Sequence, residues 1–248
     1  MSAPHRFRPI RQSLPPLTVR VRESEVAGRA EQEPSLTLCA FEQHPGEARI
    51  ATVVLHTNRG DVVARYHPAE PGAGRAPRAA LWVAGAGGGM EGPAGGLYPA
   101  ACALLQDRSI AGLRVQYRHP NELTDCVLDT LLGVTFLQLQ QVERIALVGH
   151  SFGGAVAIAA GALADAATAV VALSTQTYGA DLVSRVSPRP LLLVHGLDDE
   201  VLSPACSEIV YAAAGEPRTL KFAGARHGLD SVRPELLTLL VHWLEAHI

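Results

Sequence analysis

Lysine is nearly missing: of 21 basic residues only Lys221 is a lysine. A Walker-type phosphate loop needs a lysine inside its glycine-rich turn, so that class of nucleotide site is excluded. An excess of positive charge is missing too. With 24 acidic residues the formal net charge is -3, and no global basic field exists to hold a nucleic acid. Cysteine is sparse. Cys39, Cys102, Cys126 and Cys206 form no CxxC pair and no regular spacing, which fits neither a disulfide framework nor a zinc site. Reduced thiols are expected, and with no HExxH pattern or carboxylate cluster neither a metal nor a cofactor is.

Long apolar runs are also lacking. The most apolar stretch, Ala155 to Leu173, contains Asp165 and reads as a helix followed by a strand, a poor membrane span. The amino-terminal segment carries Arg6, Arg8, Arg11, Arg20 and Arg22 ahead of Glu23, without an apolar segment of signal-peptide length. Pro4, Pro9, Pro15 and Pro16 break any amphipathic transit helix there. The expected setting is cytoplasmic, with no membrane partner.

What remains is a chain of 248 residues, 48% hydrophobic and 18% charged, a composition for one folded core. Residues 1–35 mix Pro, Arg and Glu without periodicity and are expected to form a flexible arm, with a single domain over 36–248. Ile50 to His67 alternates apolar and polar residues around Thr57-Asn58-Arg59-Gly60-Asp61, which predicts an antiparallel hairpin. A Pro/Gly/Ala loop follows from Pro68 to Pro77. Beyond it, short apolar runs alternate with helical segments, the pattern of a mostly parallel sheet with helices on both faces. Strands are expected at Ala80–Ala84, Gly112–Tyr117, Arg144–Gly149, Ala169–Leu173, Pro190–His195 and Thr219–Phe222. The helices are expected at Ala94–Gln106, Leu123–Gln140, Ser151–Leu163, Pro204–Ala213 and Pro234–His247. The short connection from Leu173 to Pro190 leaves no room for an inserted cap domain, so an open site is expected.

Chemistry concentrates at Gly149-His150-Ser151-Phe152-Gly153, a GxSxG pattern between a β-branched strand and an Ala-rich helix. In such a nucleophile elbow the residues two before and two after the serine must be small, because side chains there would strike neighbouring backbone. Ser151 would then stand at the amino end of a helix, where NH groups and the dipole favour negative charge. The plain alternative is a helix N-cap serine after a glycine turn. A serine hydroxyl needs a base, and the base an orienting carboxylate. After the strand Leu191 to Val194, the run His195-Gly196-Leu197-Asp198-Asp199-Glu200 offers three acids, any one of which can face the site. Further on, Ala225-Arg226-His227-Gly228-Leu229-Asp230 sets His227 in a loop before the last helix, the natural place for the base. The chain order Ser, Asp, His is that of the α/β-hydrolase fold.

These motifs resemble those of the α/β-hydrolase family, and within it the branch similar to dienelactone hydrolases. The resemblance runs from about Ile50 onward: GHSFG looks like the elbow, HGLDDEVL like the acid motif, ARHGLD like the histidine loop. It selects Asp199, three residues after the glycine, with Asp198 as the alternative. It also assigns the oxyanion-binding NH groups to Ala86 and Phe152, the former in the glycine-rich run Gly85-Ala86-Gly87-Gly88-Gly89, with Gly87 able to take its place. The sequence departs from dienelactone hydrolases in its nucleophile, a serine where they have cysteine. The same run spells GxGxxG at Gly87, Gly89 and Gly92, but no acid ends the next strand as a dinucleotide site requires.

The implied function is a serine hydrolase acting on a carboxylic ester or related small acyl compound. Alternatives on the same triad are a thioesterase, lactonase, peptidase or perhydrolase, and, from another class, a non-catalytic binding protein that keeps the fold. A neutral histidine base implies activity that falls below about pH 6 to 7. Among the remaining residues, His150 is expected to pack beside the elbow and His195 to be a satisfied structural histidine. His119 is expected to stiffen its loop with Pro120, Tyr178 to wall the pocket, and Glu200 and Asp230 to be solvated surface acids.

Overall fold

The computed structural model describes residues 10–21, 34–70 and 76–248. A ten-stranded sheet runs in the order β1-β2-β3-β4-β6-β5-β7-β8-β9-β10. Strands β1 (Ile10–Arg20), β2 (Ser35–Pro45), β3 (Ala51–Thr57) and β4 (Val62–His67) form an antiparallel meander. The expected hairpin is β3 and β4. The parallel part is β5 (Arg78–Val83), β6 (Ile110–Gln116), β7 (Arg144–His150), β8 (Ala167–Leu173), β9 (Leu191–Gly196) and β10 (Arg218–Ala223). Strand β4 joins the two parts by pairing antiparallel with β6.

Two elements depart from the sequence reading. Residues 10–20, expected within a flexible arm, form edge strand β1, and β2 was not expected as a strand at all. Both alternations are interrupted by a bulge. In β1 the register shifts between Ser13 and Leu17, where Pro15 and Pro16 cannot donate to the ladder. In β2 it shifts between Leu38 and Ala40, and Leu36, Leu38 and Ala40 are buried and then the adjacent Phe41. Each bulge breaks the period of two that reveals a strand. The strand expected third in the fold, Ala80–Ala84, is therefore fifth. The rest of the expected arm, and residues 71–75 of the expected loop, lie outside the described residues.

Helices α1 (Pro93–Gln106) and α5 (Arg233–His247) cover one face of the sheet. The other face carries α2 (Leu123–Leu139), α3 (Phe152–Leu163) and Val210 of α4 (Ala205–Ala213). The two-residue period of the strands divides the core accordingly: Leu81 and Val83 of β5 join the α2 and α3 side, Ala80 and Trp82 the α1 side. Helix α3 is apolar all round because it is enclosed by the sheet on one side and α2 on the other. Between β8 and β9 the chain carries only a short 3-10 helix, Val183–Val186, and no cap domain is inserted there. Among the described residues no helix is long and apolar enough to cross a membrane.

Candidate active site

Strand β7 ends at His150 and α3 begins at Phe152, so Ser151 alone makes the turn, with φ 58° and ψ -124°. That backbone conformation costs a residue with a side chain about 1–3 kcal/mol and persists only where its surroundings enforce it. Here Ser151 N donates to Leu173 O at 2.8 Å, and Gly154 N to Ser151 O at 2.9 Å. The flanking glycines are required by contact. A Cβ on Gly149 would lie 1.9 Å from Gly153 O, and one on Gly153 2.2 Å from Ala84 O. Phe152 opens α3, in the first turn whose amides lack intrahelical partners.

The turn after strand β9 carries the candidate acid. The Asp199 side chain is fully buried, 0% exposed. Its Oδ1 accepts the amides of Val201 at 2.9 Å and Leu202 at 2.8 Å, and its Oδ2 lies 2.8 Å from His227 Nδ1. Burial pushes this carboxyl up, but the Leu202 amide, the His227 ring and the Val201 amide outweigh it and hold the group below the ordinary carboxylate value. Asp198 is exposed and shares none of these bonds.

His227 follows β10 in a loop that its neighbours hold closely. A carboxylate can only accept, so Nδ1 carries the proton and Nε2 keeps its lone pair. The His227 main-chain NH donates to Glu200 Oε2 at 3.1 Å, and Glu200 in turn pairs with Arg226 at 3.0 Å. Glu200 thus fixes the histidine loop, a role that the expectation of a solvated acid missed. His150 Nε2 donates to His227 O at 2.9 Å, with ring centroids 4.8 Å apart, which sets His227 beside the elbow. Burial pulls the His150 imidazole down to about 4, against the upward effect of that bond.

The glycine-rich run springs from β5, whose Val83 is in register with Gly149. It bears on the elbow directly: a Cβ on Gly85 would stand 3.5 Å from Ser151 Cβ. Gly88 N donates to Gly85 O at 3.0 Å and closes a turn on which Ala86 and Gly87 are exposed. Two buried tyrosines hold its root, Tyr98 Oη donating to Val83 O at 2.9 Å and Tyr117 Oη to Ala84 O at 3.1 Å. Its far end is tied by Arg114, which reaches Met90 O at 3.1 Å and Glu91 Oε1 at 2.8 Å. Ala94 N then donates to Gly228 O at 2.8 Å and joins this segment to the histidine loop. Residues Ala94, Gly95 and Gly96 have left-handed dihedrals, so the GxGxxG run does not lead into the regular helix start that a dinucleotide pyrophosphate would need.

The other candidates fall as follows. Pro120 lies against Gly88, and the His119 carbonyl accepts from Glu122 N. Tyr178 is 64% exposed and lines a surface cavity with Arg59, Glu122, Leu123 and Asp125. His195 is wholly buried, and its ring reaches the Asp199 carboxylate. The contact made by Glu200 has no local sequence signal, because it depends on how two separate turns meet. Among the described residues no group of three or more His, Cys, Asp or Glu is arranged to hold a metal ion.

No family model matches the sequence, and no curated protein matches it. Solved structures do resemble it. A dienelactone hydrolase from Anabaena variabilis matches with a TM-score of 0.69 at 16% identity, over 80% of this chain and 98% of that one. Est1E from Butyrivibrio proteoclasticus gives 0.66 at 17%, over 78% and 97%. The acylaminoacyl peptidase of Pyrococcus horikoshii gives 0.65 at 16%, over 84% of this chain and 48% of that one. The chain has the α/β-hydrolase fold.

Proposed function

We propose that this chain is a serine hydrolase that cleaves a carboxylic ester or related small acyl substrate through Ser151, His227 and Asp199. The observation that carries the reading is the bond from His227 Nδ1 to the buried Asp199 carboxylate beside a serine on a strained strand-to-helix turn. Structural likeness to a dienelactone hydrolase and to Est1E agrees with it.

In this mechanism Ser151 Oγ attacks the acyl carbonyl carbon while His227 Nε2 takes the hydroxyl proton. Asp199 keeps the ring in the required tautomer and stabilises the imidazolium that forms. The tetrahedral oxyanion is received by the NH groups of Ala86 and Phe152, each contributing on the order of 3 kcal/mol to lowering the barrier. His227 then protonates the leaving alkoxide, and the acyl-enzyme is released by water along the reverse path. No cap domain between β8 and β9 stands in the way of substrate. Hydrolysis of p-nitrophenyl acetate and labelling by a fluorophosphonate test the reading: both are expected of the wild type and lost in Ser151→Ala. Retention of both by that variant would refute it.

A further inference from the structure

The Asp199 carboxylate has a second imidazole beside it. Its Oδ2 is bonded to His227 Nδ1 at 2.8 Å and lies 3.1 Å from His195 Nε2. His195 is the penultimate residue of β9, four residues before the acid, and its side chain is 0% exposed. Its Nε2 also lies 3.1 Å from Leu202 O. Both neighbours of Nε2 accept only, so this nitrogen carries the proton; it donates to the Leu202 carbonyl, with the carboxylate at contact distance beside that N–H. The opposite nitrogen, Nδ1, lies 2.6 Å from Ser207 Oγ on α4. In the neutral ring Nδ1 is an acceptor, so the Ser207 hydroxyl donates to it and selects the Nε2–H tautomer.

The carboxylate accepts two amides on Oδ1 and the His227 ring on Oδ2, and His195 holds Leu202, one of the two amide donors, through its carbonyl. Rotation of the acid away from His227 would break several of these bonds at once. The His195 N–H dipole, 3.1 Å from Oδ2, also offsets part of the negative charge that would otherwise stabilise the His227 imidazolium.

We propose that His195, its tautomer fixed by Ser207, is a positioning residue for the Asp199–His227 pair: it orients the carboxylate and tempers its hold on the His227 proton. The proposal rests on the serine-hydrolase reading for its consequence in turnover, but not for its consequence in titration. His227 faces Asp199, Glu200 and His150, with Arg226 behind Glu200. Of the bonds that Asp199 accepts through its side chain, only that of His227 comes from a titratable ring, and His195 is a second titratable ring 3.1 Å from the same oxygen.

The test follows His227 by NMR in the Ser151→Ala background, where no turnover is needed, and kcat/KM against pH in the parent enzyme. His195→Leu removes the donor and is expected to move the His227 titration, and the acidic limb of kcat/KM, to higher pH by about half a unit or more. The expected kinetic loss is in kcat, with KM little changed. His195→Gln can present an amide NH near the Nε2 position and is expected to return the profile towards that of the parent. Ser207→Ala, which keeps the ring and loses only the hydroxyl, should shift the titration in the same direction by less, and decides the matter alone if His195→Leu does not fold. A His227 titration unmoved in folded variants would overturn the proposal and leave His195 a packing residue. So would a parent His195 protonated on both ring nitrogens. If Ser151→Ala kept full turnover, the hydrolase reading would fall while the titration result stood separately.

Discussion

The His150 imidazole donates through Nε2 to the main-chain carbonyl of His227 at 2.9 Å, so the residue before the proposed nucleophile holds the loop that carries the proposed base. Its tautomer is thereby fixed, because a carbonyl cannot donate. Burial keeps this ring neutral, with its pKa lowered from 6.5 to about 4. His67 is lowered likewise, by burial and then by Arg114, whose Nε donates to His67 Nε2 at 3.2 Å.

Both histidines bind protons more readily in the unfolded chain than in the folded one. The stability they contribute is present above the ordinary value near 6.5 and is lost as pH falls to about 4. The loss is on the order of 3 kcal/mol for each, taken at full shift. Urea unfolding across that range should show a steep fall in stability. His67→Gln, whose amide oxygen can still accept from Arg114, should flatten it. Asp199, held below 3.8, adds its own loss only below this window.

Asp199→Asn and Asp198→Asn separate two neighbouring acids. The first replaces the buried acceptor of His227 Nδ1 and should lower kcat by roughly 10³- to 10⁴-fold with little effect on KM. The second alters an exposed side chain and should leave steady-state kinetics close to those of the parent. Equal losses in the two variants would argue against the assignment of the acid.

Gly153→Ala would drive a Cβ to 2.2 Å from the Ala84 carbonyl oxygen, a backbone atom with nowhere to go. Either no soluble protein or a melting midpoint lower by on the order of 10 °C is expected. Gly87→Ala is the control, since a Cβ added there would meet nothing within 4 Å and its backbone is not left-handed. Thermal melts of the pair measure how much of the elbow is steric necessity.

Tyr98→Phe and Tyr117→Phe each remove a donor, the first from Val83 O at the end of β5 and the second from Ala84 O just beyond it. Each should cost about 1–2 kcal/mol of stability. Because the glycine-rich run is rooted there, kcat should fall by about several-fold as the Ala86 amide loses its fixed place, with KM nearly constant. Denaturant unfolding and initial rates on p-nitrophenyl acetate check both parts.

The parallel half of the sheet was legible because strands buried on both faces read as continuous apolar runs, as in Leu191 to Val194. The elbow was legible for a local reason: Gly149, Ser151 and Gly153 meet one steric demand within five residues. Strands β1 and β2 were not, since the bulges at Pro15-Pro16 and after Leu38 reset the alternation that a strand reading depends on. The supports around the acid and the histidine were hidden for another reason. His195 on β9 meets Ser207 on α4, and Glu200 accepts from a main-chain NH in the histidine loop 27 residues away. Only tertiary packing makes those pairs.

The bond from Ala94 N to Gly228 O gives the molecule a shared point of failure. Heat or denaturant that frees the loop after β10 also releases the segment leading back to the glycine-rich turn, so proton transfer and charge stabilisation should be lost together. A partially melted molecule would then be wholly inactive instead of merely slow, and inactivation should precede the global unfolding of the sheet.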